Sequence, residues 1–410
     1  MSLGIGGKWQ RLAQRSARRG QAGEEMLPNG IPKIKRGVRT AIATAIAVLL
    51  ISVSGVARGS AVPETVAPET VAPESTFPRP AAIEPNIKFW VDIFSAYSER
   101  DFVIHDRDQV WRIYQVIHVP GEGSPSKDEG DAVNEYLREK YVSIFNQLAT
   151  GQPPADYEQR HLAEMFKGQP PSAFVAAAQN LRVQEGMRER FREGLLRSRY
   201  YRPTMERIFR GAGVPPELVT LAEVESGFYS RAKSSAGAVG IWQFTRGTGR
   251  QFMRITNRRD DRLDPDAETE AAAELLRSNY LTLGSWPLAI TAYNYGTGGM
   301  IEASSIYGGD YSRIVQNYNG AHFGFASKNY YAEFLAALQI HQFEDAYFPG
   351  LKYEADLPPP PPVNTSVALR VSHRTHRTHR ASIHRVVHHS HHTHHRVRRS
   401  IAERATARDA

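Results

Sequence analysis

Between Asn86 and Phe348 the apolar positions recur at helical spacings. Leu137, Tyr141, Ile144, Phe145 and Leu148 fall at i, i+4, i+7, i+8 and i+11, the stripe that one face of an amphipathic helix buries. Met187, Phe191 and Leu195 stand four apart in the charged, Pro-free stretch 181–200, which predicts a second helix there. Asp264-Pro265 predicts a helix start: a capping carboxylate, Pro at the first helical position, then acidic residues and the Ala271–Ala273 run. Ser285-Trp286-Pro287 opens another. Strand patterning is scarce, and the one segment that stands out, Phe102-Val103-Ile104, is short and ambiguous. The pattern predicts a mainly α fold.

The pattern changes at both ends. Ala41 to Val56 is an apolar run interrupted only by Thr44, Ser52, Ser54 and Gly55. Lys33, Lys35, Arg36 and Arg39 precede it, and Ala57 and Ala61 follow as cleavage positions. It is shorter than the ~20 residues a spanning helix needs, so residues 1–61 read as a secretory signal, with an uncleaved membrane anchor as the alternative. Counted from Met26, the stretch before the run has ordinary leader length. Either reading implies export across the cytoplasmic membrane, to a periplasmic or membrane-attached location, with membrane contact through this N-terminal segment. Residues 62–85 form a Pro-rich linker, in which Pro63-Glu64-Thr65-Val66-Ala67 repeats as Pro68-Glu69-Thr70-Val71-Ala72. Residues 349–410 hold a spacer, Pro358 to Pro362, and a low-complexity tail. Ten of the chain's 15 His lie between His373 and His395. That tail reads as a solvated basic segment, or alternatively as a binder of zinc or nickel through pairs such as His388-His389.

Charge sharpens the division. Residues 1–61 and 359–410 each carry 10 Lys/Arg against 2 Asp/Glu, which leaves 31 basic against 39 acidic residues between them. The net +8 of the 410-residue chain therefore belongs to its ends, and the folded part is acidic. A nucleic-acid enzyme would present a basic face there, so no nucleic-acid partner is expected. The absence of cysteine excludes disulfides, thiolate metal sites and a Cys nucleophile. No His-Glu-x-x-His, Walker loop, Gly-x-Ser-x-Gly or glycine fingerprint is present. The five His outside the tail (His105, His118, His161, His322 and His341) show no metal spacing, so neither a metal nor a cofactor is expected.

Carboxylate chemistry remains. Pro216-Glu217-Leu218-Val219-Thr220-Leu221-Ala222-Glu223-Val224-Glu225-Ser226 reads as a helix begun by Pro. At about 100° per residue, Glu225 falls about 20° from Leu218 on the inward stripe, and Glu223 about 140° away toward solvent. Desolvation raises the proton affinity of a carboxyl on an apolar face, so Glu225 can hold a proton near neutrality and give it to a leaving group. A buried Glu paired with an Arg or Lys would look the same.

These residues, with Glu225-Ser226-Gly227-Phe228, Ser235-Ala236-Gly237-Ala238-Val239-Gly240-Ile241-Trp242-Gln243-Phe244, Trp286-Pro287-Leu288-Ala289 and Ala292-Tyr293-Asn294-x-Gly296 in that order, resemble the lytic murein transglycosylases. The resemblance is to the membrane-bound lytic transglycosylase D type and spans about Asn86 to Leu338. It implies a goose-lysozyme-like helical catalytic domain over 201–348, behind an α-helical N-terminal extension over 86–200 whose Arg182–Tyr201 part looks like that type's leader helix. It implies peptidoglycan glycan strands as substrate and Glu225 as the single acid/base. It also places Ser234, Gln243, Tyr293, Asn294 and Tyr330 along the glycan. From the residues alone, Ser234 reads equally as a turn residue, Gln243 as a backbone-satisfying amide and Tyr293 as a core aromatic. Thr245-Arg246, Tyr295 and Glu268 depart from the family's usual residues.

The implied reaction is cleavage between N-acetylmuramic acid and N-acetylglucosamine without water, closing a 1,6-anhydro ring. The alternatives are a hydrolytic muramidase, which needs a second carboxylate such as Asp260, Asp261 or Asp264, and a non-catalytic wall-binding scaffold.

Overall fold

The computed structural model describes residues 76–351. The expected leader or anchor, most of the expected linker and the His/Arg tail lie outside the described residues. The first described element lies within the stretch read as linker, a 3-10 turn at Ala81–Ile83 that leads into α1, Glu84–Ser95. Then follow strands β1 (Asp101–Asp106) and β2 (Ile113–His118), helices α2 (Lys127–Ala149), α3 (Tyr157–Met165) and α4 (Ser172–Asn180), and strand β3 (Leu181–Glu185). Helix α5 (Arg188–Gly211) leads through a 3-10 turn, Pro216–Thr220, into α6 (Leu221–Ser226). The longer helices that follow are α7 (Pro265–Leu283), α8 (Trp286–Tyr295), α9 (Thr297–Tyr307), α10 (Tyr311–Asn317) and α11 (Phe325–Gln342), with single helical turns at Arg246–Gly249 and Glu344–Tyr347.

The mainly α reading holds, and the predicted helix signals do what their chemistry requires. In α2 all five stripe residues are buried, and a capping box joins Ser126 and Glu129 at its start. Asp264 caps α7, accepting from the Asp266 and Ala267 amides.

The part ahead of α5 is not helical throughout. It holds an antiparallel sheet in the order β2-β1-β3. The ambiguous Phe102-Val103-Ile104 is the middle of the central strand. Its faces bury different partners: Phe102 and Ile104 join the α2–α4 cluster, and Val103 joins the main core around α1 and α11. A strand buried on both sides shows no alternation, which is why the pattern was ambiguous. Residues 181–185, read as the start of a helix, are β3; pairing with β1 overrides the local charge pattern, and the helix begins only at Arg188. Helix α5 then runs through Pro203, so the expected boundary after residue 200 falls inside one continuous helix.

The main core gathers α1, α5, α6, α8 and α11. Helix α6 sits in it with residues 221–225 all buried. Gly227, at φ +57°, ends it in the left-handed conformation, and Phe228 follows at φ +56° and fully buried.

Candidate active site

Glu225 is 1% exposed, on the last turn of α6. The Tyr330 hydroxyl on α11 donates to its Oε1 at 2.5 Å, while Oε2 is buried without a hydrogen-bond partner. Burial pushes the Glu225 carboxyl up to about 8, against the opposing pull of the Tyr330 bond. The group therefore holds its proton at neutral pH and sits in a place where giving it up is feasible. Glu225 is thus where the hydrophobic stripe predicted, but the paired-cation alternative is not: its hydrogen bond comes from a neutral phenol.

Glu223 is not solvated as predicted; it is buried as well, at 4% exposure. The 100° wheel fails because residues 216–220 form a tighter 3-10 turn and because a helix as short as α6 is covered on several sides. Its carboxylate lies 3.4 Å from His341 Nε2. Burial drives the Glu223 carboxyl well up and the His341 imidazole well down. A methyl group built on Gly194 of α5 would overlap the Glu223 carboxylate. Gly194→Ala is therefore expected to destabilise the fold by about 1–3 kcal/mol despite Ala's better helix propensity. Equilibrium denaturant unfolding measures this, and adding Glu223→Ala should recover much of the loss.

The other expected site residues fall into two groups. Tyr293, Asn294 and Tyr330 are buried on α8 and α11. The Tyr293 hydroxyl donates to the Trp242 carbonyl at 2.9 Å, and its titration is raised first by burial and then by the charges of Glu225 and Glu268. Asn294 Oδ1 accepts from Ser327, one turn before Tyr330, and its Nδ2 is a buried donor without a partner. Gln243 and Ser234 belong to the loop between α6 and α7. Gln243, at φ +51°, donates from Nε2 to Gly240 O at 2.8 Å and to Ala232 O at 3.3 Å. Ser234 Oγ accepts from the Ala236 and Ala238 amides at 3.2 and 3.0 Å, holding a turn. In this structure both make the local contacts that the plainer readings assigned to them, and no contact joins either to Glu225.

The departures from the family pattern have local explanations. Glu268 is buried and accepts from the Ile241 and Trp242 amides at 2.8 and 3.4 Å, fixing the Gln243 loop from below. Thr245 caps the single helical turn Arg246–Gly249. The Tyr295 hydroxyl donates to Ala321 O and its ring meets Phe323 edge-on. The three aspartates raised for hydrolysis are all engaged in the loop: Asp260 with Arg262, Asp261 with Arg259, and Asp264 as the α7 cap. Sequence reasoning missed two ionisable residues of this region, Glu333 and Arg182. Helical spacing from Tyr330 was the signal for Glu333. Arg182 was hidden because its strand reads as helix.

Residues 207–313 match the family model of the transglycosylase SLT domain, which takes in every expected site residue except Tyr330. The chain is similar to the membrane-bound lytic murein transglycosylase D of Escherichia coli strain K12, 42% identical over 92 residues. The same protein from Escherichia coli O6:H1 matches equally. The matched stretch is 22% of this chain, and this chain spans one fifth of the length of these relatives.

Proposed function

We propose that the chain is a peptidoglycan lytic transglycosylase that acts through Glu225 alone. The protonated Glu225 gives its proton to the oxygen linking N-acetylmuramic acid to N-acetylglucosamine, and the bond to the muramoyl anomeric carbon breaks. The carboxylate left behind takes the proton of the muramoyl C6 hydroxyl, whose oxygen closes on the anomeric carbon as a 1,6-anhydro ring. The proton count balances on one side chain and no water is consumed. The observation that carries this reading is a carboxyl sealed from solvent, with one oxygen held by Tyr330 and the other unpartnered. The SLT match and the two relatives supply the substrate class. Asn294 Nδ2, a buried donor without a protein partner, is assigned to a polar group of the glycan. Tyr293, Gln243 and Ser234 belong to the walls that position the sugar. The activity serves cell-wall remodelling in the envelope, in keeping with the leader-like segment before residue 62.

Digestion of purified sacculi tests this. Anhydro-muropeptides are expected, each lighter by one water than the product of a muramidase. Reducing muramic acid ends would replace this reading with hydrolysis, and binding without release would replace it with a scaffold.

Tyr330→Phe removes the one hydrogen bond that favours the ionised carboxyl. Losing a hydrogen bond to a charged group costs about 1.5–3 kcal/mol, so Glu225 should titrate higher still. The alkaline limb of the kcat/KM profile is expected to move up in pH, and kcat to fall because the carboxylate is a dearer intermediate. An unmoved limb would show that Tyr330 does not address the reacting group.

A further inference from the structure

The loops between α6 and α7 carry a charge that the proposed reaction does not use. Residues 229–263 hold 8 Lys/Arg against 2 Asp, which leaves 23 basic against 37 acidic residues in the rest of 62–358. A body that is acidic overall thus keeps one strongly basic stretch, and that stretch carries Ser234 and Gln243. Both of its aspartates are engaged within it: Arg262 donates to Asp260 at 2.7 and 2.9 Å, and Arg259 pairs with Asp261. The other six cations, Arg231, Lys233, Arg246, Arg250, Arg254 and Arg258, are exposed. Among the described residues, none of these six side chains makes a hydrogen bond or an ion pair.

Contacts hold the segments that carry them together. Arg246 opens the helical turn Arg246–Gly249, and the Arg250 amide donates to the Arg246 carbonyl at 3.3 Å, so the two arginines stand one turn apart. Arg254 and Arg258 follow on a hairpin. The Asp261 amide donates to the Arg254 carbonyl at 3.1 Å, Ile255 pairs with Asp260, and the Thr256 amide donates to the Arg259 carbonyl at 2.7 Å, which puts Arg258 in the turn. The helical turn packs on this hairpin, since a Cβ at Gly249 would meet Ile255 Cδ1 at 2.7 Å. Buried Arg262 clasps both to the Ser234 turn: besides Asp260 it reaches the carbonyls of Phe244 and Gly237, each at 3.1 Å. Gln243 Nε2 donates to the carbonyl of Ala232, which lies between Arg231 and Lys233. The cations therefore surround Gln243 and Ser234 on one clasped set of loops. Like charges one turn apart repel, and among the described residues no carboxylate pairs with these; an anion laid over them would offset the repulsion.

We infer that this surface binds the carboxylates of the peptides that hang from the muramoyl residues, and so selects peptide-bearing over bare glycan. The occupant follows from the position. With the sugar against Gln243 and Ser234, the groups that hang from it meet the arginines. In peptidoglycan those groups are short peptides with free carboxylates, joined through the lactyl group of muramic acid. A guanidinium presents paired donors that match a carboxylate. Arg246, one of the departures from the family's usual residues, belongs to this surface. The inference rests on peptidoglycan being the substrate of the proposed reaction.

The test is binding by the full chain carrying Glu225→Gln, which takes up strands without cutting them. The probes are peptide-bearing glycan strands, the same strands with their peptide carboxyls converted to amides, and vesicles of phosphatidylglycerol. This parent is expected to bind the amidated strands about tenfold less tightly at low salt, and the difference should shrink as salt screens it. Adding Arg246→Gln, Arg250→Gln, Arg254→Gln and Arg258→Gln should remove most of that discrimination, whereas Arg→Lys at the same four positions should keep most of it. The pairs 246/250 and 254/258, changed separately, should each remove a part. The basic ends of the chain are the same in every arm, so the change belongs to the loops. A parent blind to amidation, or equal discrimination in parent and glutamine variant, overturns the inference, and the first needs no loop variant to fold. Vesicle binding lost in the glutamine variant with strand discrimination intact overturns it in favour of a membrane surface. A wild type that releases anhydro-muropeptides beside loops blind to amidation sinks this inference alone. Amidation-sensitive binding through the loops by a wild type that releases nothing sinks only the transglycosylase reading.

Discussion

Glu225→Gln is expected to abolish release of product from sacculi and, at the same time, to make the folded protein more resistant to alkaline unfolding. The amide occupies the space of the carboxyl but neither donates an acidic proton nor accepts one. General acid catalysis alone contributes about 10²–10⁴-fold, and here the same group also serves as base, so turnover should fall by at least that factor. The stability change has the opposite sign. Burial holds Glu225 at about 8 in the folded protein, against an ordinary 4.5. The native state thus binds a proton that the unfolded chain releases, and the stability this contributes is complete below pH 4.5 and is lost as pH rises through 8. The amount is on the order of a few kcal/mol. Gln carries no such dependence. Thermal melts at pH 5 and pH 9 should therefore converge in the variant relative to the wild type, with the variant the more stable at pH 9. A Gln variant that still released anhydro-muropeptides, or one whose melts kept the wild-type pH dependence, would remove Glu225 from the centre of the account.

The contrast between helices and strands explains what the sequence could say of the fold. The stripe from Leu137 to Leu148 and the Asp264-Pro265 start are local signals, and local signals survive folding. The sheet is a non-local object. Its central strand is buried on both faces and so lacks alternation, and β3 carries Arg182, Gln184 and Glu185, which read as a polar helix start until β1 is placed beside them.

The site divides along the same line. Glu225 was legible because one apolar stripe carried it inward. Glu223 was misplaced because a regular wheel does not describe a 3-10 turn feeding a helix of one and a half turns. Tyr330 came from motif order, and its 2.5 Å bond to Glu225 links residues 105 positions apart. Glu333 lay one helical turn further on and carried no motif, and Arg182 depended on a strand the pattern did not show. Charges that act across elements are invisible until the elements are packed.

The loop that carries Gln243 supplies the second large effect. Gly240 sits at φ +88°, and a Cβ there would run into the Arg262 carbonyl oxygen and the Glu268 carboxylate. Its amide donates to Ala232 O at 2.9 Å, and its carbonyl accepts from Gln243 Nε2 at 2.8 Å. The next two amides are held by Glu268, the Trp242 carbonyl accepts from Tyr293, and the Ile241 carbonyl accepts from Ser226, the neighbour of Glu225, at 2.8 Å. Gly240→Val adds a branched side chain where both backbone and space forbid it. Strain at positive φ and overpacking together should cost about 3–5 kcal/mol. Because the displaced segment holds Ser226 and Gln243, activity should fall even where the variant remains folded. Gly237 in the same loop is the control. It has φ +80° but nothing within 4 Å of a built Cβ, so Gly237→Ala should cost only about 1 kcal/mol, the backbone share. Chemical denaturation of the two variants separates the terms. Equal losses would mean that the loop gives way without resistance and that Glu268 and Arg262 do not hold it against the acid-bearing helix.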